Sequence, residues 1–134
     1  WTGKNIVFVG NWQRSDYARN LKAQYANEPN IALLDSIYDL KELFVLRSNA
    51  NCYLHGHSAG GTNPSLVEAM FFDVPIIAFD VVYNRETTFG TANYFSDVND
   101  LVRMLNEELK INSPRLAWEN YTWNKIRKDY LNRL

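Results

Sequence analysis

Four short apolar runs set the frame of this chain: NIVFV at Asn5–Val9, IALL at Ile31–Leu34, CYLH at Cys52–His55 and PIIAF at Pro75–Phe79. Stretches of helical periodicity separate them. Strands of this kind, apolar without a polar alternate face, suit a parallel sheet buried on both sides. The order βαβαβαβ therefore predicts an α/β fold, a Rossmann-like parallel sheet with helices on both faces and right-handed crossovers. Tyr94–Phe95 is expected as a short fifth strand.

The helix signals are local. Ser15 is placed to cap a helix over Ser15–Ala26, and Asp39 one over Asp39–Asn49 with Leu40, Leu43 and Phe44 on its apolar stripe. Asn63 and Pro64 form a strong helix start, and the run to Phe72 is expected to be helical. Ser96 is expected to cap a helix through Leu109, with Val98, Leu101, Val102 and Leu105 on one face. After Pro114 comes a last helical region. Thr122 can cap its final part, which carries Trp123, Ile126 and Tyr130.

At 134 residues, with 46% hydrophobic residues and a net charge of −1, the chain is expected to form one globular domain, residues 1–134. The same charge balance argues against a nucleic-acid-binding surface. The single cysteine, Cys52, excludes an internal disulfide and reads as a small buried side chain. No stretch reaches the roughly 18–20 apolar residues that span a bilayer, and no signal peptide is recognisable, so a soluble, cytoplasmic protein is expected. The chain has no initiator Met and opens almost at once on a strand. It reads as a piece of something larger.

In a parallel sheet of this type, ligands sit beyond the carboxyl ends of the strands. Gly10–Arg14, Asp35–Tyr38, His55–Asn63 and Asp80–Glu86 fall at that edge. The segment HGHSAGGTNPSLVEAM, His55–Met70, is the most suggestive. Gly60 and Gly61 allow a ligand close to the main chain, and the helix start after Asn63 offers free N–H groups and a positive dipole end. These features fit a phosphate site, or equally a tight turn with no ligand. The segment is not a P-loop, since no Gly-Lys-Ser/Thr follows the glycines, and it is not a dinucleotide fingerprint.

His55 and His57 form an H-x-H pair that would face one side of an extended strand. A metal site is not expected: zinc needs at least three protein ligands, and no third histidine exists. A metal-dependent hydrolase built on this pair is the weakest reading, and a triad through Ser58 lacks the G-x-S-x-G elbow. The histidines either donate hydrogen bonds near a ligand or satisfy the loop. Glu68 stands in the otherwise apolar SLVEAMFF. It either answers the helix dipole or accepts hydrogen bonds from two sugar hydroxyls.

The stretch GGTNPSLVEAMFFDVPIIAFDVVYNRE resembles the donor-binding half of family-4 retaining glycosyltransferases of the GT-B fold. In that family a Glu precedes a second Glu-Ala-Met by seven residues; a strand beginning at Pro and a loop ending in Glu follow. Glu68-Ala69-Met70, Pro75–Ala78 and Glu86 occupy those places here. Val9–Trp12 is similar to a strand-turn of the same domain, and YTWNKIRKDYLNRL to its terminal helix. The wording HGHS-x-GGTNPSL-x-EAM is closest to bacterial rhamnosyltransferase-like members that build surface polysaccharides.

The resemblance implies a nucleotide-diphosphate sugar as donor, dTDP-rhamnose being one such, and no further cofactor. By that resemblance Glu68 would hold the ribose hydroxyls. The main chain of Gly60, Gly61, Thr62 and Asn63 would meet the diphosphate. Ile37 and Tyr38, in the Asp35–Tyr38 loop, would lie against the base. Glu86 would either contact the ligand or order its loop through Arg85. The acceptor, a saccharide or lipid-linked saccharide, would be bound by an amino-terminal domain outside this chain, with the whole enzyme at the inner face of a membrane. Sugar transfer would proceed with retention. The leaving diphosphate would be stabilised by main-chain N–H groups, the helix dipole and upstream basic residues, without a metal. This chain alone is expected to fold, to bind nucleotide weakly and to be inactive. The alternative is a non-catalytic nucleotide-binding or interaction module on the same fold.

Two departures stand out. The first Glu of the family's pair would fall at Gly60, so His57, Ser58 or main-chain groups would have to meet the donor sugar; a 6-deoxy sugar, with fewer hydroxyls, suits that loss. The family's Gly-Arg…Lys diphosphate grip is also absent and is expected upstream. No catalytic residue can be assigned, although His57 is the candidate for the sugar contact.

Overall fold

A computed structural model describes residues 3–132. The chain is α/β, with small parallel sheets and intervening helices, compatible with a Rossmann-like arrangement. The strands form two sheets where one was expected, and the chain divides into two compact units, Trp1–Val45 and Leu46–Leu134. Among the described residues no helix is long and apolar enough to cross a membrane.

The first unit holds β1 (Ile6–Gly10), α1 (Asp16–Tyr25) and β2 (Ile31–Asp35). Parallel pairing of β1 with β2 runs in register from Ile6 opposite Ile31 to Gly10 opposite Asp35, and α1 supplies the crossover that parallel strands require. Ser15 caps α1 as expected, its Oγ accepting from the Ala18 N–H at 3.2 Å. Trp12 is the one buried hydrophobic among this unit's described residues, and its indole N–H donates to the Leu34 carbonyl at 2.7 Å. Val7, Phe8 and Val9 stay 46, 43 and 40% exposed, so β1 is not covered on both faces. A two-stranded sheet with one crossover helix has too few elements to bury both sides.

α2 (Leu40–Ser48) carries the chain from the first unit into the second. Asp39 caps it, accepting from the N–H groups of Lys41 and Glu42 at 2.8 and 3.0 Å. Its expected stripe is not a buried face: Leu40 and Phe44 are 80 and 62% exposed.

The second unit runs β3 (Tyr53–His55), α3 (Pro64–Ala69), β4 (Ile76–Phe79), α4 (Val82–Thr87), β5 (Asn93–Phe95), α5 (Val98–Met104), α6 (Pro114–Asn120) and α7 (Trp123–Leu131). Its sheet has the order β3-β4-β5, all parallel, with Leu54 opposite Ile77 and Ala78 opposite Tyr94. Central β4 buries Ile76, Ile77 and Ala78 completely. Leu66, Ala69 and Met70, at helical spacing across α3 and its end, join Ile76, Ala78, Ala92 and Ala117 in the core. Buried Asn112 donates to the Met70 carbonyl at 3.1 Å, tying the segment before α6 to the end of α3. Cys52 is half-buried rather than buried.

Several expectations shift here. α3 stops at Ala69 instead of Phe72, with Met70 closing it. Asp97, not Ser96, caps α5, its Oδ1 accepting from Asn99 and Asp100; a carboxylate is the stronger acceptor for two N–H groups at once. α5 ends at Met104 rather than Leu109, and Val98 and Val102 are exposed while Leu101 and Leu105 are half-buried, so the stripe is only half covered. The Asp80–Glu86 segment is not a loop throughout, because α4 starts at Val82. At α7, Thr122 Oγ1 lies 3.4 Å from the Lys125 N–H, Trp123 and Ile126 are exposed, and the Tyr130 side chain lies outside the described residues.

Candidate functional site

The second unit gathers several of the residues singled out in the sequence at the carboxyl ends of β3 and β4. The chain leaves β3 at His55 and crosses Gly56–Thr62 as an exposed loop before α3 begins. Asn63 caps α3, its Oδ1 accepting from the Ser65 N–H at 3.0 Å, with Pro64 at the first helical position. Six residues make a short helix with a small dipole, less than the sequence led one to expect. What the geometry offers an anion is the loop itself. The N–H groups of Gly60, Gly61 and Thr62 have no protein partner among the described residues, and nothing lies within 4 Å of where a Cβ would stand at Gly60 or Gly61.

Gly60 has φ +109°. An L side chain rarely adopts that conformation, and forcing one there costs about 1–3 kcal/mol even in open space. The loop's shape therefore favours glycine at position 60.

The two histidines do share a side, as the strand spacing implied. Their rings stack at 4.7 Å. Their depths differ: His55 is 1% exposed, while His57 is exposed. His55 Nδ1 lies 3.4 Å from the Tyr53 hydroxyl, and its buried Nε2 has no hydrogen-bond partner among the described residues. Burial pushes the imidazole down from 6.5 to about 4, and the neighbouring His57 adds to the fall. His55 is thus neutral at pH 7, a structural member of the strand end. His57, Ser58 and Thr62 are the exposed polar side chains of this loop. No three His, Cys, Asp or Glu side chains gather as a metal cage among the described residues.

Glu68 stands half-exposed on α3, and its Oε2 forms an ion pair with Arg47 Nη2 at 2.6 Å. Arg47 comes from the last turn of α2, where a cation also suits the helix end, and only 20% of its side chain is exposed. A partly exposed pair of this kind adds less than about 1 kcal/mol to stability. Its effect is on where the carboxylate points. Tyr53 lies within electrostatic range of both: burial pushes its phenol up, Arg47 pulls it down and Glu68 pushes it up.

Beyond β4, Asp80 receives a bidentate contact from Arg85, Nε to Oδ1 at 2.5 Å and Nη2 to Oδ2 at 2.7 Å. That bond holds the Asp80 carboxyl below the usual range, and the same guanidinium sits 4.2 Å over the Tyr94 ring. Of the two alternatives for Glu86, ordering the segment through Arg85 finds no support, since Arg85 is engaged by Asp80, and Glu86 is exposed on α4.

Two residues went unnoticed in the sequence. Asn84, 3% exposed, donates through one Nδ2 to the carbonyls of His57 at 3.0 Å and Phe79 at 2.9 Å, joining the histidine loop to the end of β4. Nothing in VVYNRET marks it. Arg47 did leave a signal. LFVLRS and SLVEAM each carry one charge in an apolar run, of opposite sign. Ile37 and Tyr38 belong to the first unit, between β2 and α2; Ile37 is half-buried and Tyr38 is 85% exposed.

No protein-family model matches the chain, and no curated protein matches it.

Proposed function

We propose that the chain is the nucleotide-diphosphate-sugar-binding part of a retaining glycosyltransferase, with a rhamnosyltransferase of bacterial surface polysaccharide synthesis as the narrower reading. One observation carries it. The open Gly60–Thr62 main chain, with free N–H groups, is followed at once by a helix that presents a half-exposed carboxylate, Glu68. Three N–H groups suit a diphosphate, and a carboxylate suits sugar hydroxyls. In this reading the N–H groups also take up charge developing on the leaving diphosphate. His57, exposed beside the loop, is then the side chain available to the donor sugar, a role that the conformation at Gly60 denies to a Glu there.

The test is titration of the chain with UDP, GDP and dTDP, followed by amide NMR shifts and calorimetry. At least one nucleotide is expected to shift Gly60–Glu68, and Glu68→Ala to weaken it at least tenfold. Absence of shifts in that segment with all three overturns the reading.

A further inference from the structure

Arg47 has no part in the nucleotide site as the sequence outlines it. It stands in α2, before β3, among Leu43, Phe44, Val45 and Leu46. Its guanidinium nevertheless reaches Glu68 Oε2 at 2.6 Å, an ion pair. The two partners are unequally placed: four-fifths of the Arg47 side chain is covered, whereas about half of Glu68 is open to solvent. The covered partner fixes the open one. The Glu68 side chain is 53% exposed, so its carboxylate stays open to a ligand while paired with Arg47.

We infer that Arg47 is a positioning residue for ligand recognition, holding the exposed Glu68 carboxylate in the orientation that meets a nucleotide's ribose hydroxyl. A glutamate on an exposed helix face otherwise samples many rotamers and must be immobilised when ligand binds. Arg47 does that work before the ligand arrives, which is preorganisation. The guanidinium is suited to it. Its planar fork gives direction to the bond, which a rotating ammonium does not.

This inference rests on the proposed nucleotide site, and the experiment separates the two. The tightest binder among UDP, GDP and dTDP is compared with its 2′,3′-dideoxy counterpart by calorimetry on the full chain. The compared proteins are the wild type, Glu68→Gln, Arg47→Ala, Arg47→Lys and Arg47→Ala/Glu68→Gln. The readout is the ratio of the two affinities within each protein, because a general structural loss weakens both ligands alike. In the wild type the hydroxylated nucleotide should bind about 10- to 100-fold tighter, the range for a hydrogen bond to a charged group. Glu68→Gln and Arg47→Ala should each remove most of that ratio, and the double variant should do no worse than either. Arg47→Lys keeps the charge and guards against a folding defect; it should retain part of the ratio. If Arg47→Ala and Arg47→Lys keep the full ratio while Glu68→Gln loses it, the role of Arg47 is overturned and the nucleotide site stands. If the wild type binds a nucleotide without discriminating the hydroxyls, Glu68 does not read the ribose, and the role of Arg47 falls with it. If no nucleotide binds, both are overturned.

Discussion

β1 and β4 are built alike, as short apolar strands in parallel pairing, IVFVG and IIAF. Val7, Phe8 and Val9 remain close to half exposed, whereas Ile76, Ile77 and Ala78 lose all contact with solvent. The difference lies in their neighbours. β4 has a strand on each side, and α3 contributes Leu66, Ala69 and Met70 to the same core. β1 has one partner strand, and no residue of α1 is buried. An apolar run fixes that a strand will form; the number of elements packed around it decides how deep the strand lies.

The sharpest way to break this contrast is to truncate one side chain in each strand. Ile77→Ala should cost about 2–5 kcal/mol, as a fully buried aliphatic truncation does, and Val9→Ala less than about 1 kcal/mol. Urea unfolding, followed amide by amide by hydrogen exchange, would give both values. Similar costs at the two positions would show that β1 is buried as deeply as β4.

A second difference concerns acid. The second unit holds a buried neutral imidazole at His55, and the first unit holds no histidine. The folded imidazole titrates near 4 and the unfolded one near 6.5, so between these values the unfolded chain binds the extra proton. Stability is therefore complete above about pH 6.5 and declines as the pH falls toward 4. The full loss is roughly 3 kcal/mol. His55→Phe, which keeps a ring against His57, should remove this slope from the protection of β3 and β4 amides and leave β1 amides unchanged. An unaltered slope in the variant would assign the acid sensitivity elsewhere.

Smaller effects sharpen the comparison further. Asn84→Ala takes the side-chain donor from the His57 carbonyl and one of two donors from the Phe79 carbonyl, which keeps the Val81 N–H; it should cost about 1–3 kcal/mol, with faster exchange at the histidine loop. Ser15→Ala in the first unit removes one exposed cap and should cost about 1 kcal/mol, read from exchange along α1 alone.

Much of this architecture was legible in the sequence because it is locally determined. Ser15, Asp39 and Asn63 cap the helices they were expected to cap, since a cap needs only a short polar side chain and the next three N–H groups. All five strands lie where the apolar runs placed them, within one or two residues. What was not legible depends on distant packing. α4 follows an apolar strand and starts with Val82 and Tyr83, which favour strands as much as helices. The depth of His55 against His57 is set by the sheet, not by their spacing. Of the candidate site, the glycine loop and Glu68 could be read from the chain. The pairing of Arg47 with Glu68 left only a faint trace, one charge of opposite sign in each of two apolar runs, and the amide of Asn84 left none, because each acts across a gap in sequence that only the fold closes.

The bond pattern of Asn84 has a mechanical consequence. One NH2 group holds a carbonyl at the end of a central strand and another in the exposed loop. The His57 main chain is thereby tied through one side chain of α4 to the end of the most buried strand of its unit, so that loop and strand end share a single anchor.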